Sequence, residues 1–124
     1  MKIKDLTKAE EEVMKILWYL KRGFVKDILD NMPDPKPAYN TVSTIVRILQ
    51  QKEMVSYETF GKSHKYYPLV TKEAYSKFKM ENLMTGYFNG SFSNMVSFFM
   101  EKKKVNTQEL DDILRIIEEQ KDKK

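Results

Sequence analysis

Asn40, Thr41, Ser43, Thr44 and Arg47 recur at the spacing of one helix face, and all five carry hydrogen-bonding side chains. Amide, hydroxyl and guanidinium groups are the ones that meet base edges and phosphates in a DNA groove. Between them lie Val42, Ile45, Val46, Ile48 and Leu49, the face that must be buried. A second polar cluster, Lys62, Ser63 and Lys65, follows beside Gly61 in a segment that reads as a tight hairpin. A helix with a hydrogen-bonding outer face, followed by a basic hairpin, is how a winged helix-turn-helix protein touches DNA. Tyr39 heads the polar run and either stacks on a sugar or seals the helix against the loop before it.

These residues need a scaffold, and the chain spells one out. Thr7 and Glu10 have capping-box spacing, and Val13, Met14, Ile16, Leu17, Trp18 and Leu20 follow with helical periodicity up to Gly23. Phe24–Met32 reads as a short second helix. Pro33, Pro35 and Pro37 then enforce a stiff loop. Helix resumes at Ala38 or Tyr39 and runs to about Lys52. Met54–Glu58 and His64–Leu69 are rich in β-branched and aromatic residues and suit two antiparallel strands around Gly61, Lys62 and Ser63. The expected fold is mainly α with one small antiparallel hairpin: a winged helix-turn-helix domain over residues 1–70 and a helical dimerisation region over 71–124.

Composition narrows the chemistry. Without cysteine, and with His64 as the one histidine, disulfides are impossible and a zinc site of the usual Cys/His type is not expected. His64 reads as a strand residue of the hairpin, with a pH switch or a ligand as the alternative. No Ser–His–Asp arrangement or glycine-rich phosphate loop is discernible, so no catalytic residue, cofactor or metal is expected. No apolar run approaches the roughly 20 residues of a membrane span, and Met1–Glu12 lacks a secretory h-region. A cytoplasmic protein without stable membrane association is the expectation. Between Lys36 and Lys72 stand six cations (Lys36, Arg47, Lys52, Lys62, Lys65 and Lys72) and two acids (Glu53 and Glu58). That local excess equals the net charge of +4 for the whole chain. The positive charge therefore concentrates on the segment suspected of meeting DNA.

From Thr71 the character changes. A fourth helix carries Tyr75, Phe78, Leu83 and Met84 toward Gly86; after Gly90 come Phe92, Met95, Val96, Phe98, Phe99 and Met100. Asn106 or Thr107 caps a last helix bearing Leu110, Ile113, Leu114, Ile116 and Ile117. The third of the chain after Thr71 is too small for a core of its own, and each large apolar side chain gains roughly 1.5–3 kcal/mol from burial. Two copies packing these helices together resolve this. The expected homodimer interface comprises Leu83, Phe88, Phe92, Met95, Val96, Phe99, Leu110, Ile113, Leu114 and Ile117.

Taken in order, Leu6-Thr7-Lys8-Ala9-Glu10, Val13-Met14, Leu17-Trp18, Tyr39 through Thr44, Arg47-Ile48-Leu49, Lys52 through Val55 and Tyr66-Tyr67-Pro68 resemble the bacterial penicillinase and methicillin-resistance repressor family. The resemblance spans about Leu6 to Ile117. It implies a homodimeric repressor on an inverted-repeat double-stranded operator of β-lactam-resistance genes, inactivated by proteolysis through a membrane sensor metalloprotease. By position it places Asn40, Thr41, Ser43 and Thr44 on the recognition helix, and Lys62, Ser63 and Lys65 on or beside the wing. Family members often carry an arginine where this chain has Ser43, so a different operator is expected. They are typically cut between asparagine and phenylalanine, where this chain has Phe98-Phe99. The cysteine cluster of copper-responsive relatives is absent.

Plainer readings stand beside these. The polar run from Asn40 to Thr44 is also what a solvated first turn looks like, Arg47 also suits pairing with an acid of its own domain, and Lys62 and Lys65 also suit a solubilising turn. Trp18 reads as core. The phenylalanine–methionine set reads as dimer core, with a ligand pocket as the alternative. Two competing functions remain: a winged helix that docks a protein, and a repressor of the same fold released by a small ligand.

Overall fold

The computed structural model describes residues 3–102 and 107–122. Its elements are α1 (Lys8–Leu20), α2 (Val25–Asp30), α3 (Tyr39–Gln51), β1 (Val55–Phe60), β2 (Ser63–Pro68), α4 (Lys72–Tyr87), α5 (Phe92–Lys102) and α6 (Thr107–Asp122). They fall into two compact units, Met1–Lys79 and Met80–Lys124.

The first unit is built as its sequence dictates. The Glu10 amide donates to Thr7 Oγ1 at 3.2 Å, and the Thr7 amide donates to Glu10 Oε1 at 3.0 Å, which satisfies two open donors at the start of α1. Glu10 is itself buried, and Lys52 at the end of α3 donates to its Oε1 at 2.7 Å and to the Asp5 carbonyl at 3.2 Å. Burial alone would raise the Glu10 carboxyl, but the Lys52 ammonium and the Thr7 bonds outweigh it and hold the group below its ordinary range. The two helices are latched there.

Helix α1 stops at Leu20, short of Gly23, with Lys21 at φ 74° closing it. Gly23 instead exchanges both backbone hydrogen bonds with Tyr66, at 2.9 and 2.8 Å, and extends the sheet by one bridge on the free edge of β2. The second helix is capped by Asp27, whose Oδ2 accepts from the Phe24 amide at 2.9 Å. In the proline loop, Lys36 donates to the Asp30 and Met32 carbonyls at 3.2 and 2.6 Å, closing the far end of α2.

Val42, Val46 and Leu49 line the inner stripe of α3 and are fully buried with Val13, Met14, Leu17, Ile28 and Met54. The hairpin pairs Val55 with Pro68, Tyr57 with Tyr66, Thr59 with His64 and Phe60 with Ser63. Its turn is Gly61-Lys62, and Gly61 at φ 61° takes the first central position of a type II′ turn, where a side chain would be strained. Three helices and this hairpin make the expected winged helix-turn-helix arrangement.

The unit extends to Lys79, so the expected division at residue 71 marks the start of α4 while the units divide within it. Tyr75 explains why. It is buried, its hydroxyl donates to Glu11 Oε2 at 2.5 Å, and its ring lies 5.8 Å from that of Trp18. Burial, then the Glu11 bond, push that hydroxyl well above the usual tyrosine range. Trp18 Nε1 donates to the Val70 carbonyl at 2.9 Å, and Phe78 packs against the same core.

In the second unit α4 continues with Met80, Leu83, Met84 and Tyr87, a stripe along one helix face. After Gly90, at φ 74°, α5 begins, with the Ser91 side chain accepting from the Asn94 amide at 3.1 Å. Phe98 stands edge-on to Phe88 at 5.7 Å and to Phe99 at 6.0 Å. Helix α6 starts at Thr107; Asn106, the alternative cap, and Lys103, Lys104, Lys123 and Lys124 lie outside the described residues.

Candidate nucleic-acid interface

Alternation divides the strand side chains of the hairpin between two faces, with Ser63 next to the turn still reaching the cleft. Tyr57, Thr59, His64 and Tyr66 share one face, while Glu58, Phe60, Ser63 and Lys65 share the other. Tyr66 is buried where the first face meets the helices; burial, then the neighbouring Tyr57, raise its hydroxyl, and Arg47 partly offsets them. Between α2, α3 and the hairpin lies an open cleft of about 410 Å³. Tyr39 and Ser43 line it from α3, Lys62, Ser63, His64 and Tyr66 from the hairpin, and Lys26 and Asp27 from α2.

Asn40, Thr41, Thr44 and Arg47 are exposed on the outer face of α3. Arg47 has no ion pair among the described residues, so the internal-acid reading is set aside. Thr44 already donates its hydroxyl to the Asn40 carbonyl at 2.9 Å. What it offers outward is an oxygen acceptor and a methyl group, the latter suited to a thymine methyl. No side chain caps the N-terminus of α3, which follows Ala38, and the positive end of the helix dipole lies there. Tyr39 is 54% exposed at the cleft wall, so it does not seal the loop.

The basic segment is thinner than its sequence suggests. Lys36 is spent on the α2 carbonyls and Lys52 on Glu10 and Asp5. Lys65 is held on the hairpin's other face, its Nζ 5.6 Å from the Phe24 ring centroid and 5.8 Å from that of Phe60. Lys62 and Arg47 are exposed on the α3 side. Sequence reasoning missed Lys26, which enters the cleft from α2. Its signal was available only as a cation early in the first helix of the helix-turn-helix pair.

The second unit offers a different surface. Tyr87, Phe92, Phe98, Phe99, Met100, Ile113, Leu114, Ile116 and Ile117 are exposed, Tyr87 by 79% and Ile116 by 57%. Leu83, Phe88, Val96 and Leu110 are half-buried. Met95, expected at an interface, is already buried, at 5% exposure. Phe98 and Phe99 lie inside α5, at 46% and 39% exposure. Among the described residues no cluster of His, Asp or Glu has metal-binding geometry, and no helix is long and apolar enough to cross a membrane.

The chain is similar to known proteins over most of its length. The family described as penicillinase repressor matches residues 6–119. The penicillinase repressor of Bacillus licheniformis is 24% identical over 99% of this chain and 97% of its own length. The methicillin resistance regulatory protein MecI of Staphylococcus aureus strain N315 is 27% identical over 91% of this chain and 93% of its own. The solved structure of the CopR repressor is 32% identical, covering 54% of this chain and 99% of that one, with a TM-score of 0.46.

Proposed function

We propose, from the premise that this chain belongs to the penicillinase repressor family, that it represses by occupancy, as a homodimer with one α3 in each major groove of an inverted-repeat operator. Membership makes it a DNA-binding transcriptional repressor and not an enzyme. The observation that carries the finer reading is the convergence of Tyr39 and Ser43 with Lys62 and Ser63 on one cleft, beside the exposed Asn40, Thr41, Thr44 and Arg47. Asn40, Ser43, Thr44 and Arg47 meet base edges and phosphates; Lys62 and Ser63 hold the backbone.

The exposed apolar residues of the second unit support the dimer. A second copy covers them with the same residues, as a two-fold interface requires. The two recognition helices then act together, and the second contact becomes intramolecular. The names of the relatives point to β-lactam-resistance genes as the regulated set, and the site of action is the cytoplasm, where the DNA is. Induction is cleavage between Phe98 and Phe99 by a membrane sensor metalloprotease. Because that bond lies within α5, the protease meets it only when the helix opens locally.

Selection of duplexes from a random pool, followed by anisotropy titration of the winners, tests the reading. An enriched inverted repeat with affinity falling steeply with salt is expected. Equal affinity at low and high salt, or no symmetric enrichment, would overturn it.

A further inference from the structure

The cleft between α2, α3 and the hairpin gathers more charge-bearing groups than the DNA-contact residues named above. Lys26 reaches it from α2, Lys62 from the turn and His64 from β2. Neither lysine has an ion pair among the described residues. Asp27, the carboxylate lining the cleft, is committed to the Phe24 amide. Tyr39 faces in from α3, and Tyr57 and Tyr66 support His64 from the hairpin.

His64 is held in place. Its ring lies flat on that of Tyr57, with centroids 4.0 Å apart and planes 6° apart, and the Tyr66 ring stands edge-on at 6.2 Å. A protonated imidazole keeps this stack, since a cation over a phenol face is attracted by the ring quadrupole. Two ammonium groups and an imidazole outnumber the single Asp27 carboxylate in the cleft, which makes it a seat for an anion. One wall of that seat is the recognition helix, so the anion delivered when α3 enters a major groove is a phosphate of the DNA backbone.

We propose that this cleft seats one backbone phosphate per half-site, held by Lys26, Lys62 and the protonated form of His64, so that DNA affinity rises as pH falls. The proposal deepens the DNA-binding reading and rests on it. Histidine changes charge between about pH 5 and 8, whereas ammonium and phosphodiester groups do not.

The full chain is titrated against a fluorescein-labelled duplex of mixed sequence, about 30 base pairs long, at about pH 6 and about pH 8 and constant ionic strength. Affinity is expected to be about three- to tenfold higher at the lower pH. His64→Gln should remove that dependence, and His64→Lys should keep the high affinity at both pH values. Lys26→Ala should weaken binding at both and flatten the salt slope by about one per half-site. Wild-type pH dependence surviving in His64→Gln, a pH-independent wild type, or an unchanged salt slope in Lys26→Ala would each overturn the proposal. Failure to bind any duplex at low salt would instead overturn the DNA reading beneath it, and the two failures are distinguishable.

Discussion

In Met1–Lys79 most apolar side chains from Leu6 to Tyr75 close into one core, and Asn40, Thr41, Thr44 and Arg47 stand exposed on α3. In Met80–Lys124 Met95 is the one buried apolar side chain among the described residues, and rings and aliphatic chains stay outside. The first unit has finished folding when its own chain is packed, so its surface is free to carry hydrogen-bonding groups to a partner of different chemistry. The second has not. Stripes such as Leu110, Ile113, Leu114 and Ile117 reach the minimum of their free energy only against another apolar surface. In the proposed function one surface stays wetted until DNA arrives and the other is covered by a second copy.

The strongest way to break that contrast is to charge the second surface. Leu114→Glu combined with Ile117→Glu should give monomers by sedimentation and lower affinity for the selected operator about a hundredfold or more, because each half-site then binds alone. An intact dimer with unchanged affinity would mean that the exposed stripe of α6 serves something else. A change inside the first unit's surface should act on sequence preference instead. Ser43→Arg places a guanidinium at the cleft wall, where bidentate bonding to guanine is worth about 1–3 kcal/mol. Repeating the selection should show guanine gained at one position per half-site with the dimer untouched.

The core and the reading helix were legible because periodicity and capping are local. Thr7 with Glu10, and Val42, Val46 and Leu49, say where they go from spacing alone. The hairpin was legible from Gly61 between two β-rich runs. Charge was not, because a lysine reaches several ångströms and its partner is set by the fold. Lys36 and Lys52 counted toward the basic segment until the helix ends they close were in place, while Lys26 looked like an ordinary helix residue. The unit boundary was missed for a similar reason: Tyr75 binds back to Glu11, 64 positions earlier. Met95 differs from its neighbours only in the rotation of α5.

Glu10 separates stability from assembly. Glu10→Gln should cost about 1–2 kcal/mol by weakening the tie to Lys52, read as a lower Tm with dimerisation unchanged. The folded-state carboxyl is held below its ordinary value, so its contribution is present above the ordinary carboxylate range and is lost as pH falls through the lowered folded value. The gap in Tm between wild type and Glu10→Gln should therefore narrow in acid. A constant gap would place the stabilisation in the packing of Glu10 rather than in its charge.

The smallest expected effects sit on the two faces of the hairpin. Lys62→Ala should weaken binding to all duplexes alike, about two- to fivefold, since a phosphate contact carries no sequence information. Lys65→Ala should change affinity less, because its ammonium is drawn over the Phe24 and Phe60 rings. The two lysines are three residues apart in the chain, equal in charge, and indistinguishable by composition. If their substitutions prove equal, the DNA backbone follows the hairpin edge rather than the cleft, and Ser43 loses its access to bases. If they differ as expected, the turn has carried one cation to the DNA while the strand beside it lays the other over the protein's own rings.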